Sequence, residues 1–162
     1  MVGRELEESH EALTPALNPE VSAQRSRNMR AVRNRDTKPE IAVRKVLHRL
    51  GYRFRIGRSD LPGKPDIILP RFKLAVFVHG CFWHRHDCKR ATMPKTRTDF
   101  WETKLSANAA RDARVVEALT ELGWRSLVIW ECEIRQHDLI SERMAAEILS
   151  KADIRLAAQI DK

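Results

Sequence analysis

Eleven residues, Val78-His79-Gly80-Cys81-Phe82-Trp83-His84-Arg85-His86-Asp87-Cys88, hold two cysteines, three histidines and two large aromatics. Packing alone seldom gathers so many ligand-type side chains. Cys81, His86 and Cys88 carry soft or borderline donors close enough along one loop to share a zinc ion, and Cys132 can supply the fourth by tertiary approach. Such a closed site is structural, pinning a loop that has few other means of holding its shape. The spacing departs from the two-ribbon zinc finger, so zinc and ordinary reduced thiols both fit it. A second constellation is acidic. Asp66 follows Pro65 beside a glycine turn, and Glu40 lies in the first turn of the preceding helix. If that helix packs beside the Asp66 strand, these acids and the end of the next strand converge on a hard cation such as magnesium, which prefers oxygen ligands. A turn aspartate and a helix-capping glutamate explain the same two residues without any metal.

Those groups must be held by regular elements, and the sequence signals several. Thr37, Pro39 and Glu40 form a capping-box start, after which Val43, Val46, Leu47 and Leu50 recur at helical spacing until Gly51. Tyr52 to Ile56, Asp66 to Leu69 and Lys73 to His79 read as strands, with Leu61-Pro62-Gly63-Lys64-Pro65 as a turn. Thr98 is placed to cap a long helix from Asp99 to Leu122 that stops at Gly123. Trp124 to Trp130 suits an inner strand, and a last helix is expected from Ser141 through the 150s. The order of elements predicts an α/β domain over 22–157, with tails at 1–21 and 158–162 and no internal repeat.

Composition narrows the partner. The 162 residues contain 30 Lys or Arg against 22 Asp or Glu, a formal charge of +8. Residues 25–58 alone hold twelve bases and two acids, whereas the first twenty residues sum to −4. A local basic stripe of this kind tracks phosphates, which makes nucleic acid the first partner to consider, and a solvated helix face the ordinary alternative. A hydrophobic share of 43% can fill one core, excluding a wholly disordered chain. No run reaches the roughly 18 apolar residues of a membrane helix. Three cysteines without an apolar leader suggest a reducing compartment, so a cytoplasmic bacterial protein, monomeric and acting at the nucleoid, is expected.

Five motifs in order resemble the very short patch repair (Vsr) mismatch endonucleases: Arg25-Ser26-Arg27-Asn28-Met29-Arg30-Ala31 with Arg35-Asp36-Thr37; Leu61-Pro62-Gly63-Lys64-Pro65-Asp66; His79-Gly80-Cys81-Phe82-Trp83-His84; Thr96-Arg97-Thr98-Asp99-Phe100-Trp101; and Glu121-Leu122-Gly123-Trp124-Arg125 with Trp130-Glu131-Cys132. The resemblance implies a restriction-endonuclease-like (PD-(D/E)XK-type) mixed sheet flanked by helices, with a structural zinc loop. It implies nicking of duplex DNA 5′ to the thymine of a T:G mismatch left by deaminated 5-methylcytosine, possible partners extending to other mismatch-repair proteins. By the same resemblance Asp66 and the backbone carbonyl of Val78 hold Mg2+, and Glu40 holds water of that ion. His79 and His84 lie at the scissile phosphate, with His84 the better proton-transfer group. Zn2+ falls to Cys81, His86, Cys88 and Cys132. Phe82, Trp83 and Trp101 form a wedge beside the mismatch, Met29 enters from the opposite groove, and Lys104 and Asn108 reach the edges of the wobble pair. Arg27 and Arg30, from the basic stripe, are expected to contact phosphates. Val78 stands where the best-known member of the family has threonine, so a backbone ligand carries over and a hydroxyl does not. Two further readings are a mismatch-binding protein that does not cleave and a zinc-stabilised RNA-binding protein. Retention of Asp66, His79 and His84 together argues against a pure binder.

Overall fold

The computed structural model describes residues 35–57 and 60–160, which fall in the second of two units of the chain, Arg35–Lys162. Met29, Arg27, Arg30 and the tail read over 1–21 lie outside the described residues. Among those described, no helix is long and apolar enough to cross a membrane.

Helix α1 spans Lys38–Arg49 and starts as its sequence requires. Thr37 accepts from the Glu40 backbone N–H, the Glu40 carboxylate accepts from the Thr37 backbone, and a proline fills the first turn, where its missing N–H costs nothing. The segment Tyr52 to Ile56 does not form the expected strand: only Arg55 pairs, with Ile68, in an isolated antiparallel bridge. Its partner strand explains this. β1 is three residues long, Ile67–Leu69, and offers little edge to pair with. A tight reversal through Pro70–Phe72 and Lys73, at φ 44°, leads into β2, Leu74–His79, which runs antiparallel to β1 with Ile67 opposite Val76. Helix α2, Thr98–Glu121, is the crossover that returns the chain to β3, Arg125–Trp130, parallel to β2. Thr98 does not cap α2. The cap position is Arg97, at φ 54° with no side-chain bond, and Thr98 is already helical. The sheet is therefore mixed and three-stranded, in the order β1-β2-β3. After a short turn at Glu131–Glu133, α3 covers His137–Ile160, beginning earlier than Ser141 and continuing into the stretch read as a C-terminal tail.

Alternation along the strands sorts the core into two layers. Ile67, Leu69, Leu74 and Val76 face Val43, Val46 and Leu47 of α1 with Ile140 and Met144 of α3. Ile68, Ala75 and Phe77 face the other way, onto Leu119 of α2 and Leu61 of the proline turn. That turn needs its glycine. Gly63 sits at φ +72°, and a Cβ there would lie 2.3 Å from Val115 Cγ1 of α2. Tight packing of the Leu61 to Pro65 turn on α2 in this way fixes the entry into β1, and with it Asp66.

Candidate active site and metal centre

Asp66 stands just ahead of β1, and its Oδ2 accepts the Val78 backbone N–H at 2.7 Å. The side chain thus continues the β1–β2 ladder by one step and comes to rest against the last residues of β2. Burial pushes its carboxyl up from 3.8 to about 6, the Val78 N–H pulling down and the nearby Glu40 carboxylate adding to the rise, with Arg44 and His84 opposing it. Glu40 and Asp66 therefore feel each other's charge, as the convergence of helix and strand requires. A desolvated carboxylate next to a second acid is a donor set suited to a hard cation. Val78 packs its side chain against the α1–α3 core layer, which accounts for an apolar residue there and leaves only its backbone to the site.

Glu40 is 4% exposed and is the buried charged residue among those described. Its Oε1 accepts from the Thr37 N–H at 3.3 Å and the Thr37 hydroxyl at 2.8 Å, and its Oε2 from the Asp36 N–H at 3.0 Å and an Arg44 guanidinium N–H at 2.8 Å. The capping reading of this residue holds, and the same carboxylate is near enough to Asp66 to raise its pKa.

His79 ends β2 on the α2 side, where Phe77 and Trp130 flank it with ring centroids 5.8 and 5.5 Å away. His84 stacks on it at 3.7 Å and 13°. Burial, with the His84 ring adding, lowers His79 from 6.5 to about 4, against the pull of Asp112, so His79 is neutral at physiological pH. His84 Nδ1 lies 2.5 Å from Asp112 Oδ2. An imidazole that donates from Nδ1 to a carboxylate is held in one tautomer, with Nε2 free to take a proton. The sequence reading missed Asp112, although the face carrying Trp101, Lys104 and Asn108 reaches it one helical turn further on.

The loop after β2 brings together the cluster read as a zinc site. Donor atoms of Cys81, His86, Cys88 and Cys132 lie within 4.8 Å of one another, a span one tetrahedral ion can bridge, and three thiols with an imidazole suit zinc. Burial pushes the Cys81 thiol up to about 12, its thiol neighbours Cys88 and Cys132 adding to the rise. At Cys88 desolvation opposes a net lowering produced by the Arg90 backbone N–H and the two other thiols. Thiols so crowded compete for protons, and a divalent ion resolves that competition by replacing them. Trp130 joins this centre to the first: its ring stacks on His86 at 4.2 Å and meets His79 edge-on.

Phe82, Trp83 and Trp101 meet as a group, with centroids 5.1 to 6.1 Å apart. The sequence reading left out Phe100, which is 44% exposed and meets Trp101 at 5.2 Å. Lys104 Nζ lies 5.6 to 5.8 Å from the rings of Phe100, Trp83 and Trp101, a cation held over three aromatic faces. Asn108 donates to the Trp83 carbonyl at 3.0 Å and accepts from Arg111 at 3.0 Å. It fastens the aromatic loop to α2 as well as sharing a face with Lys104.

An acid at the head of β1 and histidines at the end of β2 thus meet on a mixed sheet between helices, the arrangement that the resemblance to restriction-endonuclease-like nucleases leads one to expect. A model of the family described as DNA mismatch endonuclease Vsr matches residues 20–90. The chain is 48% identical over 132 residues to the type II nicking enzyme V.XorIIP of Xanthomonas oryzae pv. oryzae, covering 82% of this chain and 95% of that protein. It is 41% identical over 129 residues to the DNA mismatch endonuclease Vsr of Escherichia coli, covering 80% and 83%. Among solved structures, a homing endonuclease catalytic domain is similar at a TM-score of 0.45 and 19% identity, covering 71% of this chain and 97% of that one. The chain belongs to the Vsr DNA mismatch endonuclease family.

Proposed function

We propose that the protein is a Mg2+-dependent, strand-specific endonuclease that nicks duplex DNA 5′ to the thymine of a T:G mismatch. Family membership supports a DNA endonuclease acting at mismatches. The observation that carries the chemistry is the meeting of Asp66, His79 and the Asp112-held His84 at one end of the sheet. In this reading Asp66 and the Val78 carbonyl would hold Mg2+ and Glu40 would accept from its water; the ion, when bound, would neutralise charge on the phosphate and activate water. His84 moves the proton through Nε2, since Asp112 occupies Nδ1. His79, neutral and stacked on His84, can donate a hydrogen bond to a phosphate oxygen without adding a charge.

Phe82, Trp83 and Trp101 enter the base stack beside the wobble pair, which is easier to unstack than a matched pair. Lys104 and Asn108 read its edges, Met29 approaches from the other groove, and Arg27 and Arg30 hold phosphates. Zn2+ on Cys81, His86, Cys88 and Cys132 fixes the loop that bears Phe82, Trp83 and His84. A mismatch binder without nuclease activity would have no use for Asp66 and the two histidines in one place.

The test is a nicking assay on duplexes that differ only in a central T:G or T:A pair, with Mg2+ or with chelator. Nicking confined to the T:G duplex with Mg2+, and absent in Asp66→Ala while mismatch binding persists, is expected. Cleavage by Asp66→Ala at the wild-type rate would defeat the assignment.

A further inference from the structure

A carboxylate has about four acceptor positions, two on each oxygen. All four on Glu40 are taken: two by Thr37, one by the Asp36 backbone N–H and one by Arg44. The role proposed above for Glu40, accepting from water around Mg2+, therefore requires one donor to leave. The three donors from Asp36 and Thr37 belong to the turn and capping box that start α1, and losing one would fray the helix. Arg44 differs. It reaches Glu40 from one turn further along α1, and its other terminal nitrogen bonds Asp36 Oδ1 at 2.5 Å, so it keeps a partner when it releases Glu40. Its side chain is 15% exposed, and its Nε is buried without a hydrogen-bond partner. It is the donor that can leave with least disruption.

We infer that Arg44 competes with the hydration shell of the divalent cation for Glu40, and so sets the metal requirement of the active site. The inference rests on the proposed role of Asp66 and Glu40. Two effects act in the same direction. Arg44 takes the acceptor position that the cation's water needs, and its fixed positive charge stands near the carboxylates that would attract the cation. Because it acts through Glu40, Arg44 is a positioning residue. The bond it makes ties a guanidinium to a carboxylate with little solvent access, so its removal costs stability as well as changing cation affinity, and the affinity is read in folded variants.

The test follows Mn2+ binding to the full chain by electron paramagnetic resonance at about pH 8, where Asp66 is ionised, with Asp66→Asn measured in parallel to isolate binding that depends on this site. Arg44→Met should bind Mn2+ about tenfold more tightly, on the scale of one hydrogen bond to a charged group. The Mg2+ concentration giving half-maximal nicking should fall by a similar factor, with mismatch binding in chelator unchanged. Arg44→Lys, which keeps the charge but cannot bridge both carboxylates, should fall between the two and serves as the test if the Met variant does not fold. Unchanged or weaker Asp66-dependent Mn2+ binding in a folded variant would overturn the inference while Mg2+-dependent nicking by the wild type kept the functional reading intact. If the wild type showed neither Asp66-dependent Mn2+ binding nor nicking, both would fall together.

Discussion

Asp112→Asn isolates the proton-transfer part of the site. The side chain is isosteric, sits on α2 and touches His84 through one contact, at 2.5 Å to Nδ1. The substitution has two consequences. An amide can donate to Nδ1 as well as accept from it, so the ring is no longer held with its proton on Nδ1, and in the other tautomer Nε2 cannot accept the proton of the attacking water. The carboxylate charge beside the ring is also lost as positive charge develops there. Charges about 4 Å apart attract by about 4 kcal/mol at an effective dielectric of 20. At about 1.4 kcal/mol for each tenfold, that places a ceiling of about a thousandfold on the electrostatic part. His84→Ala should cost roughly two to four orders of magnitude, the range for a general acid or base, and Asp112→Asn should fall inside that range. The assay is single-turnover nicking of a T:G duplex at saturating enzyme and Mg2+, so that binding defects do not enter the rate. Mismatch affinity should stay within about twofold, because Asp112 belongs to neither the aromatic group nor the basic stripe. A single-turnover rate for Asp112→Asn within twofold of wild type would refute the claim that His84 depends on this carboxylate. A double variant no slower than His84→Ala alone would support one shared pathway.

Asp66→Asn should make the protein more stable at neutral pH while abolishing nicking. The folded state keeps the Asp66 proton up to about pH 6 whereas an ordinary carboxyl releases it near 3.8, so stability falls as pH rises through that window, by up to about 3 kcal/mol. His79 has the opposite sign: its folded value of about 4 lies below 6.5, so its contribution is complete above 6.5 and is lost as pH falls through 4. Thermal melts from pH 4 to 8 should therefore be flatter for wild type than for Asp66→Asn, which should lose stability on acidification; parallel curves would contradict the Asp66 shift, and a flat Asp66→Asn curve the His79 shift. Freshly purified protein should carry one zinc per chain by elemental analysis, and Cys132→Ala should lose it together with much of its thermal stability, a result that zinc-replete, fully stable Cys132→Ala would reverse. Trp83→Ala or Trp101→Ala should weaken T:G duplex binding by roughly 1–3 kcal/mol and matched duplex binding by less, with the salt dependence nearly unchanged. Equal losses on the two duplexes would move discrimination to Lys104 and Asn108.

What could be read from the sequence was local in character. Thr37, Pro39 and Glu40 lie within four residues, and the capping box they spell is the one that forms. The cysteines and histidines of the 78–88 loop are few in kind and dense in spacing, so their types alone pointed to a cluster, and Cys132 joined it because it follows an apolar, inner-strand-like run. Relations across the fold were harder to see. Asp112 is one more acid on a long, largely exposed helix, and nothing near it in sequence marks it as the partner of His84, twenty-eight residues earlier. The apolar and aromatic residues of Tyr52 to Ile56 carry strand propensity, but pairing depends on a neighbour whose length the sequence does not announce. Thr98 has a capping side chain in the right place, yet Arg97 in the left-handed region starts α2 one residue earlier. The saturation of Glu40 could not be read at all, because it depends on which way four donors point.

The division of labour within the site follows from how one loop is strapped to one helix. Trp83, His84 and Arg85 are consecutive, and each is held by α2: the Trp83 carbonyl by Asn108, the His84 ring by Asp112, and the Arg85 guanidinium by Glu102 and Ser106. Cys81 on one side and His86 and Cys88 on the other belong to the four-ligand cluster, so the three strapped residues are bracketed by it. The aromatic group sits at the start of α2 and Asp112 lies eleven residues beyond Trp101, about 16 Å along the helix at 1.5 Å per residue. A helix of that length resists bending, and the loop beside it has little slack. In the proposed reading, the ring offered to the base stack and the imidazole offered to the phosphate are therefore neighbours in sequence, facing one element and braced by one cluster. Seating Trp83 in the duplex would then fix where His84 can be, which is the geometric requirement for cutting beside a distorted pair and not elsewhere.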